Sequence, residues 1–233
     1  MNRMNSNRDW GNSDYGYSTV KTNGALDLRV FNLTIGAILA WGFLINAVMV
    51  KTCYDFFAQF NIWAILIGYA VCCIVGICMS RFSDNPLISF IGYNLVVIPI
   101  GVVLCLALKD VESASIMHAA LVTAGVTLAM IVMACVWPDF FLGLGRVLFF
   151  ALLAVIVIEL ITILIGVYMP SAWDWMVALL FAGYIGYDWA KAQNTDHTLD
   201  DAVDACVDLY LDIINLFIRI LSASDKSSKS SRK

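Results

Sequence analysis

The chain has 233 residues, of which 61% are apolar and 14% charged, with a mean hydropathy of +0.82. A soluble domain carries about 45–50% apolar and about 25% charged residues, so this composition excludes a water-soluble fold; about seven spans of ~20 residues would account for it, with no room for a second, soluble domain. The net charge of −4 is small and unevenly placed, which argues against nucleic acid as a partner and leaves the lipid bilayer as the expected surrounding.

Residues 1–29 are polar and carry Arg3, Arg8, Lys21 and Arg29 against Asp9, Asp14 and Asp27. They hold no short apolar core followed by a small-residue cleavage site. They are expected to form a mostly disordered tail before a first span that acts as an uncleaved signal anchor.

Six apolar runs follow, at about 30–50, 61–79, 87–108, 115–137, 145–168 and 172–190, each long enough to cross a hydrocarbon core. Short connections hold the turn residues Ser83-Asp84-Asn85-Pro86, Trp137-Pro138-Asp139 and Met169-Pro170-Ser171. Trp41, Trp63, Trp137, Trp173, Trp175 and Trp189 mostly fall near run ends, as interfacial anchors do. Pro99 interrupts the third run and is expected to kink it. Of the seven cysteines, Cys72, Cys73, Cys78, Cys105 and Cys135 lie inside apolar runs, without C-x-x-C spacing, and read as small buried apolar residues.

The seventh segment, about 200–221, differs. It opens with Thr198-Leu199-Asp200-Asp201, an N-cap followed by acids in the first turn. At 100° per residue, Asp201, Asp204, Asp208, Asp212, Asn215 and Arg219 share one arc of about 80°, opposite Val203, Val207, Tyr210, Ile213, Ile214, Phe217 and Leu221. Such a stripe must meet water, a cation or other polar groups. Lys and Arg counts do not decide whether it crosses: a full crossing leaves seven on each side, whereas six crossings leave twelve against two. The expected fold is an all-α polytopic membrane bundle of six spans plus a seventh helix, central or re-entrant. Its membrane domain covers 30–221, and 222–233 form a polar, basic tail.

Ionised groups at bilayer depth cost at least ~2.5–3.5 kcal/mol and normally face a cavity or a partner. Asp188 is either an interfacial partner of Lys191 or a buried site residue. Asp212, flanked by apolar residues, is either on a solvated face or in the site. Glu159 is central in the fifth run with no partner within a turn of its own helix; it is either protonated or paired across helices. Arg81 ends the second run, where it snorkels to the interface or serves as counter-ion to a carboxylate. Two carboxylates on neighbouring helices within hydrogen-bond reach would share a proton and titrate as a unit. Ionised together, they repel each other and attract a cation. Carboxylate oxygens suit calcium, and Asp201, Asp204 and Asp208 form a candidate cation approach to Asp212.

Tyr187-Asp188 and Leu209-Tyr210-Leu211-Asp212-Ile213-Ile214-Asn215-Leu216-Phe217, with the two aspartates 24 positions apart, resemble the Bax inhibitor-1 family in its bacterial form. The similarity covers about residues 30–221, mostly through the pattern of segments. It implies a helical bundle around a central last helix, acting as a pH-sensitive calcium leak in a bacterial cell membrane. Asp188 and Asp212 would be the proton-sensing, calcium-engaging pair, and Arg81 the latch that favours closure. No cofactor is implied beyond calcium as the permeant or bound ion, and protons are the other ligand. Two features depart from the family pattern: the second span lacks an acid, and Glu159 adds a charge to the fifth. The alternatives are a membrane scaffold that regulates partners without transport, and an intramembrane aspartyl protease. The protease lacks support here, because Leu-Tyr-Leu precedes Asp212 where Gly-x-Gly should stand, and no Pro-Ala-Leu occurs. His118 and His197 are too few for a zinc hydrolase, and no G-x-S-x-G turn occurs, so no enzymatic activity is expected.

Overall fold

The structure, a computed structural model, describes residues 24–231. Most of the expected N-terminal tail, residues 1–23, lies outside them. The described residues are helical throughout, in the order α1 (Leu28–Thr52), α2 (Tyr54–Phe57), α3 (Ile62–Arg81), α4 (Pro86–Ala107), α5 (Ser113–Val136), α6 (Pro138–Gly143), α7 (Gly145–Ile165), α8 (Ser171–Ala192) and α9 (Leu199–Ser231).

The boundaries follow local chemistry. Asn61 caps α3 by accepting from the Trp63 N–H at 2.8 Å, and Asn85 caps α4 by accepting from the Leu87 N–H at 3.0 Å, with Pro86 in the first turn. Gly166, at φ 71°, closes α7 in the left-handed conformation that suits glycine. At the head of α9 the Asp201 N–H donates to Thr198 Oγ1 at 3.1 Å, while the Thr198 N–H donates to Asp201 Oδ2 at 2.9 Å, a reciprocal capping box. Helix α4 continues through Pro99.

Helices α1, α3, α4, α5 and α7 are long and apolar enough to cross a membrane on their own. The expected sixth apolar run does not reach that standard: α8 carries Asp174, Asp188 and Lys191, and one face of it packs against other helices. Asp174 and Asp188 are buried, as are Val177, Phe181 and Ile185 on the same helix.

Helix α9 is the axis of the molecule. It packs along α8 and also against α5, α1 and α4, and Ala202, Cys206, Leu209, Tyr210, Leu216 and Ile220 are almost wholly enclosed. Two sets of contacts fix its span. On one face of the bundle, Asp200 meets Ser89 near the start of α4, and Asp204 meets Ser80 near the end of α3. On the opposite face, Lys226 meets Asp174 in the first turn of α8. Helix α9 therefore runs the length of α8, antiparallel to it, at the centre of the bundle. Its 33 residues measure ~50 Å at 1.5 Å per residue, more than a ~30 Å hydrocarbon core requires. Residues 222–226, expected in a separate tail, continue this helix and pack on α8.

Helix α3 lies mainly on α4, where Gly76 and Gly92 let the two backbones meet: a Cβ at Gly76 would stand 2.5 Å from the Gly92 carbonyl oxygen, and one at Gly92 would stand 2.6 Å from that of Gly76. Helix α7 is little enclosed for its length, with only Leu148 and Val155 buried. Trp41 is not an interfacial anchor. It sits midway along α1 and donates through Nε1 to Asn94 Oδ1 at 3.2 Å, since an indole N–H at that depth needs a partner. All seven cysteines are free; Cys73, Cys105 and Cys206 are buried, but Cys78 and Cys135 face outward from the bundle.

Candidate functional site

Five carboxylates, on α8 and α9, converge near the face where α9 begins. Asp200, Asp204, Asp208 and Asp212 descend one side of α9, and Asp188 comes from the last turn of α8. Each is met differently. Ser89 Oγ donates to Asp200 Oδ1 at 2.7 Å, and Ser80 Oγ donates to Asp204 Oδ1. Asp208 receives two cations: the Arg81 guanidinium on Oδ1, and Lys191 Nζ on Oδ2 at 3.2 Å. Arg81 comes from the end of α3 and Lys191 from the end of α8, so Asp208 ties three helices together above the deepest pair.

That deepest pair is Asp188 and Asp212. They are 8% and 7% exposed and lie within mutual hydrogen-bond reach, with Tyr184 beside both. Lys191 Nζ stands 4.0 Å from Asp188 Oδ1, at the outer limit of an ion pair. Asp212 Oδ2 is buried and has no hydrogen-bond partner. A buried carboxylate oxygen without a donor costs several kcal/mol if the group is ionised. A single proton held between the two carboxylates removes that cost, because one then donates to the other.

The cluster carries five acids against two cations, Arg81 and Lys191. With one proton on the deep pair it retains a surplus of negative charge, open toward the face where Arg81 and Lys191 are partly exposed. Two carboxylates fall short of the ~6–8 oxygens that calcium takes, and among the described residues no three His, Cys, Asp or Glu side chains are placed to hold a metal ion.

Sequence-predicted residues divide as follows. Asp188 and Asp212 meet. Arg81 is a counter-ion, but its direct partner is Asp208 and neither member of the deep pair. Asp204 and Asp208 lie in one row with the deep pair and are held by Ser80 and by Arg81 with Lys191; Asp201 is turned to Thr198 at the helix cap, and Asp200 joins the row instead. Ser80, Ser89 and the Lys191–Asp208 contact carried no sequence signal, because serines and lysines at helix ends are ordinary.

Glu159 is paired, far from this row. Arg219 Nη1 lies 2.7 Å from Glu159 Oε1, and Nη2 donates to Oε2 at 2.8 Å, a bidentate pair between α9 and α7. Trp173 Nε1 adds a bond to Glu159 Oε1 at 3.0 Å. Asp174, only 2% exposed, accepts from Lys226 Nζ at 2.7 Å, Ser222 Oγ at 3.2 Å and Arg219 Nη1 at 3.4 Å. This second cluster closes the opposite end of the bundle with two acids and two cations, all engaged. Asp174 was missed from sequence because an acid in a first helical turn reads as a favourable dipole contact.

The family model described as Inhibitor of apoptosis-promoting Bax1 matches residues 25–229. Among curated relatives, Protein LIFEGUARD 3 of Arabidopsis thaliana is 42% identical over 81 residues, covering 34% of this chain and 32% of its own length. An uncharacterized protein of Helicobacter pylori (strain ATCC 700392 / 26695) is 40% identical over 85 residues, covering 34% of each chain. Protein LIFEGUARD 2 of Arabidopsis thaliana is 36% identical over 81 residues, again 34% of each. The aligned stretch spans about a third of each of these relatives.

Proposed function

The chain belongs to the Bax inhibitor-1 family of multi-pass membrane proteins, and from that premise we propose that it is a pH-sensitive cation leak of a bacterial cell membrane, passing calcium and closed by a proton shared between Asp188 and Asp212. The observation that carries this reading is Asp212 Oδ2, a buried carboxylate oxygen with no partner, beside a second buried carboxylate. A resident ion pair would have supplied Asp212 with a cation; here Arg81 and Lys191 are spent on Asp208 one turn away.

The sign follows from proton linkage. The closed state holds one proton more than a state in which both carboxylates are ionised, so raising the pH favours the ionised state. Two adjacent negative charges then repel, pushing α8 and α9 apart at this level while drawing a cation between them. For one proton released, the balance shifts by at most about tenfold, about 1.4 kcal/mol, per pH unit. The row Asp200, Asp204 and Asp208 concentrates cations at the mouth, and loss of the Arg81–Asp208 pair would clear it.

The test is calcium flux into liposomes holding purified protein between pH 6 and 8, for wild type, Asp188→Asn and Asp212→Asn. Wild-type flux should rise with pH, by no more than about tenfold per unit, and both variants should lose that dependence. Absence of flux above empty liposomes at every pH, from protein shown to be folded, would defeat the proposal and favour a regulatory role without transport.

A further inference from the structure

Resting on the leak reading, we propose that Arg219 is a second, charge-based barrier in series with the Asp188–Asp212 pair, closing the pathway at the far end of α9. Asp212, Asn215 and Arg219 follow one another at i, i+3 and i+7, on one face of the helix. A cation that has passed the deep pair and continues along this polar stripe therefore meets Asn215 and then a guanidinium.

The guanidinium is held in place. Glu159 on α7 grips it bidentately and Asp174 on α8 takes its Nη1, so it ties α9 to both α7 and α8. Side chains positioned this way do not swing freely, and a fixed guanidinium on the polar stripe repels cations. Arg219 also occupies the carboxylate oxygens that an arriving cation would otherwise use. It is a tethered cation seated on the acids of the exit, with Lys226 seated on Asp174 behind it. The stripe on α9 thus changes sign along its length: acids at the entry, bases at the exit. Opening the first barrier draws a cation in; release of Arg219 from Glu159 and Asp174 lets it out.

This reading explains Glu159, a charge on the most apolar of the long helices, of which little is enclosed. No contact of α7 with the first cluster requires it. Its carboxylate anchors the Arg219 side chain and links α7 to α9.

Two measurements decide the barrier. The first is calcium flux at pH 8 for Glu159→Gln/Arg219→Gln, which removes both charges together and leaves Asp174 with Lys226 and Ser222. Flux should rise at least tenfold over wild type with its pH dependence retained, whereas Arg219→Lys, which keeps the charge but not the bidentate geometry, should stay within twofold of wild type. An unchanged flux in the double variant, or an equal rise in Arg219→Lys, would overturn the proposal.

The second measurement needs no flux and leaves the ion pairs intact. Asn215→Cys and Ser222→Cys are each treated with a membrane-impermeant thiol reagent from the side where α9 ends, with the unmodified chain as blank. Ser222→Cys should react and Asn215→Cys should not. Labelling of Asn215→Cys from that side would place the barrier elsewhere. Absence of wild-type flux at every pH defeats the leak reading alone; the labelling contrast still decides whether Arg219 seals this end.

Discussion

Asp208 is the residue that most visibly ties the acidic cluster to its neighbours, because Arg81 and Lys191 reach it from different helices. Both cations are about two-fifths exposed, at 41% and 43%, so solvent screens each contact and its worth is about 0.2–1 kcal/mol. Arg81→Gln should therefore weaken closure modestly. We expect calcium flux at pH 6–7 to rise about two- to fivefold, the equivalent of that energy at its upper end, with Asp208 still held by Lys191. Flux below wild type would show that Arg81 aids permeation instead of closure. At this scale the sequence disclosed the acids but not their partners. A carboxylate in an apolar run announces itself by its cost, whereas Ser80, Ser89 and Lys191 become meaningful only where they touch one. Glu159 shows the same division: its charge was conspicuous, and its pairing with Arg219 needed two helices distant in sequence brought within side-chain reach.

Among the elements, α3 is attached to the bundle by few means. Its apolar packing is on α4 through Gly76 and Gly92, and it reaches α9 through Ser80 and Arg81. The α3–α4 crossing is consequently where a single methyl group matters. Gly76→Ala would set a Cβ 2.5 Å from a backbone carbonyl that cannot rotate away, and overpacking of that kind costs about 1–3 kcal/mol. Thermal unfolding in detergent should occur at a lower temperature for Gly76→Ala than for wild type. Gly125→Ala, where a Cβ would meet nothing within 4 Å, should unfold no earlier than wild type. Equal behaviour of the two variants would mean that the helices separate there without cost. Helix existence was legible throughout, since runs of ~20 apolar residues can satisfy their backbone in lipid only as helices. The short α2 and α6 were not legible, being too brief to show a period.

For the whole molecule, the consequential result is that α9 runs antiparallel along the whole of α8 at the centre of the bundle, and from this we predict that it crosses and that the chain's two ends face opposite sides of the membrane. Charge counting could not decide this, with seven Lys and Arg on each side of a seven-crossing topology. Reporter tags placed before residue 24 and after residue 231 should give opposite accessibility in intact cells or sealed vesicles; the same accessibility would mean a re-entrant α9. The sequence by itself determined that the chain is an all-helical membrane bundle, that its last helix carries an acidic stripe, and that Asp188, Asp212, Glu159 and Arg81 are charges in apolar surroundings; it was the family resemblance that paired Asp188 with Asp212. Those conclusions rest on quantities local to the chain: hydropathy over ~20 residues, a 3.6-residue period, and the cost of a charge in lipid. Only the tertiary structure decided that α9 is the axis, that Arg81 holds Asp208, that Asp201 serves the helix cap while Asp200 joins the row, and that Glu159 and Asp174 close the far end on Arg219 and Lys226. The reason is physical: a charge inside a membrane must be answered, but the answering group is chosen by which helices pack together, and packing joins residues as distant in sequence as Arg81 and Asp208.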